Sequence, residues 1–427
     1  MDGKILIVSA QCLSQHDANG RSLLNLLGAF SPNQLFQIYT LPAPVAEPAC
    51  EQYLQITNGS AAKGFLGKRT GAVVTYDAQA SQGDQGTPTA GRGKKTATTM
   101  LLRDLVWDNS IGVKRAVRAW AKRIQPDVVL LQLGDSSHLI SLAILASKAV
   151  GVPLLVYNTE DYYFKSYDYM KKTTGAGLMF RLFQRRYRIA VNKMMKRKPA
   201  FLCNCSGIGE LFAEKFHADY QVLYTASDMQ PVADGAGRTE GSIVYAGNLS
   251  LGRHKTLMEI GDALQKIDQK LQLDVYGPAP TADVAGALEQ APGICYHGWV
   301  DYATVRKVLS NSRLLVHGES FCAYEQMDTR YAFSTKIADY CCSGIPMLIY
   351  APEMGEGFRY VAENGLGFAV SETESLAQTL ENALYDTQLR QQIVDRCMEA
   401  AERNHSKSVN GQKVKETVLA LAQRKKV

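Results

Sequence analysis

Two series of short, predominantly apolar runs, each alternating with helix-length segments, constrain this chain more than any other feature. The first series comprises KILIVSA (4–10), LFQIYTL (35–41), PDVVLLQL (126–133) and VPLLVYN (152–158), and is closed by PAFLCNC (199–205) and ADYQVLYT (218–225). The second comprises SIVYAGN (242–248), LQLDVYG (271–277), ICYHGWV (294–300), RLLVHGE (313–319), PMLIYA (346–351) and LGFAVS (366–371). A strand that is apolar on both faces needs cover on both, which intervening helices supply in a doubly wound parallel sheet. Between the two series, PVADGAGRTEGS (231–242) has the Gly-rich polar composition of a join between domains. The expected organisation is a first domain over 1–225, a linker over 226–242 and a second domain over 243–395. Closing helices over 396–427 are expected to pack back toward the first domain. A length of 427 residues also calls for two cores. Two such domains make a cleft between them the natural active site.

Composition narrows the class. Apolar residues make up 46% of the chain and charged residues 21%, as in a globular protein. No apolar run approaches the ~18 residues of a membrane span, and MDGKILIVSA is far short of a signal-peptide core. Nine scattered cysteines without a CxxC pair read as reduced thiols of a cytosolic protein, with no metal site. Net charge is a mild +6 but unevenly spread. Residues 178–198, LMFRLFQRRYRIAVNKMMKRK, carry eight Lys or Arg in 21 positions and no acid. Leu178, Leu182, Phe183, Ile189, Ala190 and Met194 fall on one face of a helix there. That pattern fits either a solvated helix lying against its domain or a basic amphipathic helix at an anionic membrane surface. Nothing interleaves aromatic and basic residues as a nucleic-acid module does, so no nucleic-acid partner is expected. Residues 77–99, rich in Gly, Ala, Ser, Thr and Gln, read as a mobile excursion within the first domain.

The residues with chemical potential gather just beyond the expected strands. In AFSTKIADYCCSGIP (332–346), Ser334 and Thr335 stand at a helix start, where a hydroxyl caps backbone N–H groups and others remain for an anion. Lys336 in that first turn meets the positive end of the helix dipole, an arrangement an anion between them would relieve. Asp339 shares a helical face with Lys336, and Gly344 and Pro346 end the helix. AGNLSLGRHK (246–255) repeats the logic, with Arg253 and Lys255 at the start of the next helix after Gly247. HDANGR (16–21) places Gly20 and Arg21 after the first strand, where backbone can approach a ligand. GDSSH (134–138), TEDYYF (159–164), HGWV (297–300) and HGESF (317–321) occupy the same kind of position. Ligands of parallel α/β sheets bind at these carboxyl ends.

These residues resemble the retaining, metal-independent glycosyltransferases of the GT-B fold that build bacterial capsular and surface polysaccharides, a glycosyltransferase family 4-like group. ANGRSLLNLLGAF is similar to the Gly-Arg loop and first helix of that group. LLVHGESF followed by YAFSTKIADYCCSGIPML is similar to its strand, Ser-Thr-Lys loop and closing Gly-x-Pro. The resemblance implies two Rossmann-like doubly wound domains facing a cleft, and transfer of a sugar from a UDP- or GDP-sugar to a glycan or polyprenyl-diphosphate-linked acceptor. It implies a protein at work in the cytoplasm or peripherally at the inner membrane face, without cofactor or metal. Gly20 and Arg21 would lie against the donor diphosphate, with Gly247 and Gly277 at neighbouring strand ends. Arg253 and Lys255 would neutralise the diphosphate, Ser334, Thr335 and Lys336 would hold phosphate, Asp339 would take the ribose hydroxyls, and Trp299 and Val300 would flank the base.

The group's first glutamate would fall on Tyr331, so Glu319 or Glu325 is expected in its place. The histidine after the fourth strand is also replaced, by Glu160 and Asp161, with His138 on the preceding loop. Arg253, Lys255 and Lys336 would then stabilise the leaving group, and Asp161, Glu160 or His138 would position the acceptor. A sugar-nucleotide epimerase or hydrolase of the same fold, and a non-catalytic nucleotide-sugar-binding protein, remain the alternatives.

Overall fold

The computed structural model describes residues 3–14, 18–45, 47–76, 95–171 and 175–424. The chain divides into two compact units, Met1–Leu223 with Asn410–Val427, and Tyr224–Val409.

Among the described residues, the first unit holds an eight-stranded sheet. Its strands are β1 Ile5–Ser9, β2 Leu35–Tyr39, β3 Gln52–Gln55, β4 Ala72–Val74, β5 Val128–Leu133, β6 Leu154–Asn158, β7 Ala200–Cys203 and β8 Tyr220–Val222. Their spatial order is β4-β3-β2-β1-β5-β6-β7-β8, with every pairing parallel except the antiparallel β3–β4 edge. β1 is the centre, and its Ile5, Leu6, Ile7 and Val8 are wholly buried between helices on both faces. The helix Lys407–Arg424 closes this unit, packing Val414, Val418 and Leu421 into the cluster of Leu23, Leu26, Leu27 and Phe30.

The second unit holds six parallel strands: β9 Ser242–Ala246, β10 Leu273–Tyr276, β11 Ile294–Gly298, β12 Ser312–Gly318, β13 Met347–Tyr350 and β14 Phe368–Val370. Their order, β11-β10-β9-β12-β13-β14, reverses direction between β9 and β12. Loops leaving neighbouring strands at such a reversal diverge to opposite faces, opening a crevice at the carboxyl ends.

Several expectations are corrected. Gly20 and Arg21 lie within the helix Ala18–Leu26, not in a loop before it. Of the proposed excursion over 77–99, residues 77–94 fall outside the described residues, whereas residues 97–99 begin the helix Ala97–Asn109, capped by Thr96 accepting from the Thr99 N–H. β3, β4 and the helix Asn58–Phe65 had no counterpart in the sequence reading.

The stretch read as a linker, 226–242, is bound into the second unit. The Val232 N–H donates to the Ser343 carbonyl at 2.8 Å. Buried Arg390 donates from Nε to the Ala236 carbonyl at 2.8 Å and from Nη2 to the carbonyls of Arg238 and Arg313, each at 2.9 Å. A guanidinium presents five donors in a rigid fork, so it can hold several carbonyls of an irregular segment at once.

The close passage of two strand ends fixes the geometry of the crevice. Gly247, just past β9, donates its N–H to the Tyr276 carbonyl at 2.8 Å, and Gly277 donates to the Gly298 carbonyl at 2.7 Å. Gly277 has φ +146°, and a Cβ there would stand 1.9 Å from the Gly247 carbonyl oxygen. Gly277→Ala should therefore destabilise the protein by about 3 kcal/mol or more, through left-side backbone strain and the clash together. A urea unfolding midpoint within error of the wild type would contradict this.

Candidate functional site

The crevice of the second unit is built where β9 and β12 diverge. The chain leaves β9 through Gly247, passes Leu251 and Gly252 at φ +60° and +70°, and enters the helix Arg253–Ile267. It leaves β12 through Gly318 to Glu319 and Ser320. These two exits are tied by one ion pair. Arg253 donates from Nε to Glu319 Oε2 at 2.8 Å and from Nη2 to Oε1 at 3.0 Å, a bidentate fork. The Thr256 hydroxyl adds a 2.9 Å bond to the Glu319 carbonyl. On the other side of the carboxylate, His317 Nε2 lies 3.3 Å from Oε1. Burial alone would raise the Glu319 carboxyl, but Arg253 and His317 outweigh it and bring it down to about 2. Burial also holds His317 below the usual histidine range, and its Nδ1 is buried without a hydrogen-bond partner.

Lys336 is the cation left over. It occupies the first turn of the helix Thr335–Ser343 and runs back across the end of β9. A Cβ on Gly247 would meet its Nζ at 2.9 Å, so the missing side chain makes the room the ammonium occupies. Nζ stands 5.3 Å over the Tyr245 ring. Among the described residues, no carboxylate lies within ion-pair distance of it. Burial first, and then the Arg253 charge, pull its pKa down to about 8, against partial opposition from Glu319 and Asp339. A cation held this way, beside the start of a helix, is stabilised by whatever anion arrives.

The structure revises other expectations in this unit. Ser334 is the N-cap residue, but its hydroxyl makes no capping bond. Thr335 follows it as the first helical residue. Asp339 is engaged by the Ser227 hydroxyl, which donates to Oδ1 at 2.5 Å. Arg253 is committed to Glu319 rather than free for a diphosphate, and Lys255 is exposed two residues on. Glu319, expected as a candidate carboxylate, is consumed by that pair. Glu325 is better placed. Its Oε2 is buried without a partner, and its carboxyl carbon is 3.8 Å from where a Gly252 Cβ would stand. Trp299, 68% exposed, and half-buried Val300 follow β11, with Gly298 at φ +72° turning the chain. Sequence reading included His317 in HGESF without giving it a role and missed Tyr245, because both lie inside apolar strands, where a polar residue reads as ordinary core.

In the first unit, the residues named for the acceptor are bonded internally. His138 is the second residue of the helix Ser137–Val150 and is buried. Its Nδ1 lies 2.8 Å from Asp104 Oδ1, and its ring stacks on Trp107 at 4.6 Å. Asp104, held to about 2 by His138, Arg103 and Ser137 against its own burial, also accepts from the Ser137 N–H and hydroxyl at 3.0 and 2.7 Å. Asp161 faces the buried Lys165 ammonium at 3.5 Å, and that ammonium lies over the Tyr162, Tyr167 and Tyr169 rings. Glu160 is half-buried, its N–H donating to Asn158 Oδ1 at 3.3 Å.

The basic segment forms the helix Leu178–Met195, and its buried face differs from the expected one. Phe180, Phe183, Tyr187, Ala190, Val191 and Met194 face inward, while Leu178, Leu182 and Ile189 stay exposed beside exposed Arg181, Arg185 and Lys193. Leu182, Arg185 and Ile189 line an open groove of about 330 Å³ with Leu101 and Ile144.

Residues 243–417 match the family model described as Glucosyltransferase 3-like, C-terminal domain. No curated protein matches the chain. Among solved structures, HepE of Anabaena in complex with UDP is similar at TM-score 0.65 and 14% identity, covering 98% of this chain and 100% of that one. The sucrose-phosphate synthase of Thermosynechococcus elongatus gives 0.63 at 11% identity, with 98% of each chain covered. WaaG, a glycosyltransferase involved in lipopolysaccharide biosynthesis, gives 0.54 at 12% identity, covering 96% and 98%. At such identities the likeness establishes the fold, which is the two-unit GT-B architecture of these glycosyltransferases.

The Arg253–Glu319 pair generates a test. Arg253→Met leaves a buried carboxylate without its main partner and should cost about 3–5 kcal/mol near neutral pH. In the wild type the folded carboxyl lies below its ordinary value of 4.5, so its contribution is present above that pH and is lost as pH falls toward 2. Without Arg253, burial raises the carboxyl instead, so the variant's deficit should shrink between pH 8 and pH 4. A deficit in urea unfolding that is small, or that grows toward pH 4, would contradict the pairing.

Proposed function

We propose that this protein transfers a sugar from a nucleoside-diphosphate sugar to a hydroxyl of a surface-polysaccharide or lipid-linked glycan, with retention at the anomeric carbon and without a catalytic metal. The observation that carries the reading is Lys336. It is a half-buried ammonium with no carboxylate at ion-pair distance among the described residues, laid over Gly247 at the carboxyl end of a central strand, beside the N-terminal turn of its own helix. That is a seat for a diphosphate. The match to the Glucosyltransferase 3-like domain and the UDP bound by HepE, a relative in fold, support the same ligand class.

In the reaction, the bond from the anomeric carbon to the diphosphate oxygen breaks, and its electron pair goes to that oxygen. The acceptor oxygen bonds to the same carbon, and its proton passes to the departing phosphate. Lys336 meets the growing negative charge, with exposed Lys255 and the N–H groups of the two helix starts, those of Arg253–Ile267 and Thr335–Ser343, as further stabilisers. The buried, unpartnered oxygen of Glu325 is suited to accept from a hydroxyl of the donor sugar. Trp299 offers an exposed ring for the base. Asp339 would reach a ribose through Oδ2, since Ser227 holds Oδ1. In the first unit, Gly20 and Arg21 sit in the first turn of a helix that follows β1, the position from which backbone N–H groups reach an anion.

Two outcomes test the site. UDP or GDP binding, measured by calorimetry, should be steady below about pH 7.5. Above the Lys336 pKa of about 8 the free protein must take up a proton to bind, so affinity should fall by up to tenfold per pH unit. Lys336→Ala should abolish this dependence and lower turnover at least tenfold, about 1.4 kcal/mol, with the fold intact. Nucleotide binding without acceptor-dependent release would favour a non-catalytic binding protein instead.

The exposed apolar stripe of the helix Leu178–Met195, flanked by arginines, supports attachment to an anionic inner-leaflet surface that presents a polyprenyl-diphosphate acceptor. Replacing Arg181 and Arg185 together by Ala should weaken binding to anionic vesicles by about 2 kcal/mol, roughly thirtyfold. Flotation that is indifferent to anionic lipid would rule this surface out.

A further inference from the structure

At the outer edge of the second sheet, β10 and β11 bring together an Asp, a Cys and a His that no part of the proposed reaction uses. β11 is the edge strand, and its Cys295 is the register partner of Asp274 on β10. His297 follows two residues later, on the same face as Cys295. Leu273 and Val275, on the opposite face of β10, are buried in the core. The register slips between Val275 and Tyr276, so that Tyr276 pairs with Gly298 and its ring lies flat on His297, at 4.3 Å and 6° between planes. The imidazole is thereby held in one orientation, with Nε2 toward Asp274 Oδ1 at 2.6 Å.

We infer that Asp274, Cys295 and His297 form a three-ligand site for a thiophilic divalent cation, with Zn²⁺ the best match. Their donor atoms all lie within 4.8 Å of one another. Bonds of about 2.0–2.3 Å at tetrahedral angles separate ligand atoms by roughly 3.3–3.8 Å, so small side-chain rotations complete the site. The 2.6 Å hydrogen bond between His297 and Asp274 must open by about 0.7 Å, and the thiol must draw in. One sulfur, one imidazole and one carboxylate are a zinc-type donor set, and the fourth position faces solvent and takes water.

Without metal, the thiol keeps its proton, raised by burial and by the Asp274 charge. On binding, the sulfur–proton bond is exchanged for a sulfur–metal bond, and the proton goes to solvent. Imidazole binds through the Nε2 lone pair, with its proton on Nδ1. Linear spacing hides the site, because the ligands come from two strands, 21 and two residues apart, and meet only through the β10–β11 register.

The test uses the full chain, stripped with chelator and titrated with Co²⁺, a spectroscopic stand-in for Zn²⁺. One equivalent should produce intense tetrahedral d–d bands and a sulfur-to-cobalt charge-transfer band. Cys295→Ser should remove the charge-transfer band, whereas Cys322→Ser, at an exposed thiol elsewhere, should retain it. Zn²⁺ should raise the melting temperature of the wild type, with affinity at least tenfold weaker in His297→Ala and Asp274→Asn. Weak octahedral bands, a charge-transfer band that survives Cys295→Ser, or equal Zn²⁺ affinity in all variants would each overturn the site. None of these readouts involves nucleotide or sugar, so their failure would leave the transferase reading untouched.

Discussion

The bidentate contact between Arg253 and Glu319 is the constraint from which the crevice follows. It joins the two chain segments that leave β9 and β12 at the point where the sheet reverses. A crevice at a switch point opens because its loops diverge, so something must fix their separation. Here an ion pair does so, supported by the Thr256 bond to the Glu319 backbone and by His317 beneath. The pair also neutralises Arg253. The positive potential at the strand ends is then carried by Lys336 and by the helix starts, not by the arginine that the motif spacing first suggests.

The same economy of space governs Lys336. Gly247 lacks the side chain that would displace the ammonium, and Gly277 lacks the one that would strike the Gly247 carbonyl. The two glycines belong to one arrangement. The first lets the lysine lie down, and the second lets the neighbouring strand end come close enough to hold the first in place through the Gly247–Tyr276 bond.

Much of the fold was legible in the sequence, because it rests on hydrophobic runs. Each strand of the second unit coincides with the run that announced it to within one residue, β12 starting at Ser312 just ahead of its run. Missing were elements whose burial depends on partners rather than on pattern. β3 and β4 are short and lie at a sheet edge, and the helix Ala97–Asn109 begins in a Thr-rich stretch that reads as loop until Thr96 caps it. The Gly-rich 226–242 segment read as a tether because composition cannot reveal that Arg390, some 150 residues later, gathers its carbonyls. Among site residues, position was legible and partnership was not. His138 and Asp161 do lie at strand ends, but their polar atoms face Asp104 and Lys165. The slip in the amphipathic phase of Leu178–Met195 has a similar cause. Its aromatic residues compete successfully with Leu178, Leu182 and Ile189 for the interior, since Phe180, Phe183 and Tyr187 bury more area each.

The electrostatics of Lys336 carry the last step. Its folded pKa of about 8 lies below the ordinary 10.5, so the unfolded chain holds the proton more tightly between those values. Stability should rise with pH across that window, and the charged lysine is a net cost to the folded state below it. A fold retains such a cost where the cation has a use. A diphosphate in the proposed site would supply the counter-charge that Glu319 cannot, being committed to Arg253, and that Asp339, held by Ser227, offers only in part. Burial disfavours the charged lysine by itself and would strengthen each charge–charge contact with a bound anion. The desolvation that depresses the lysine is thus the same property that would let it stabilise a leaving phosphate when the sugar bond breaks.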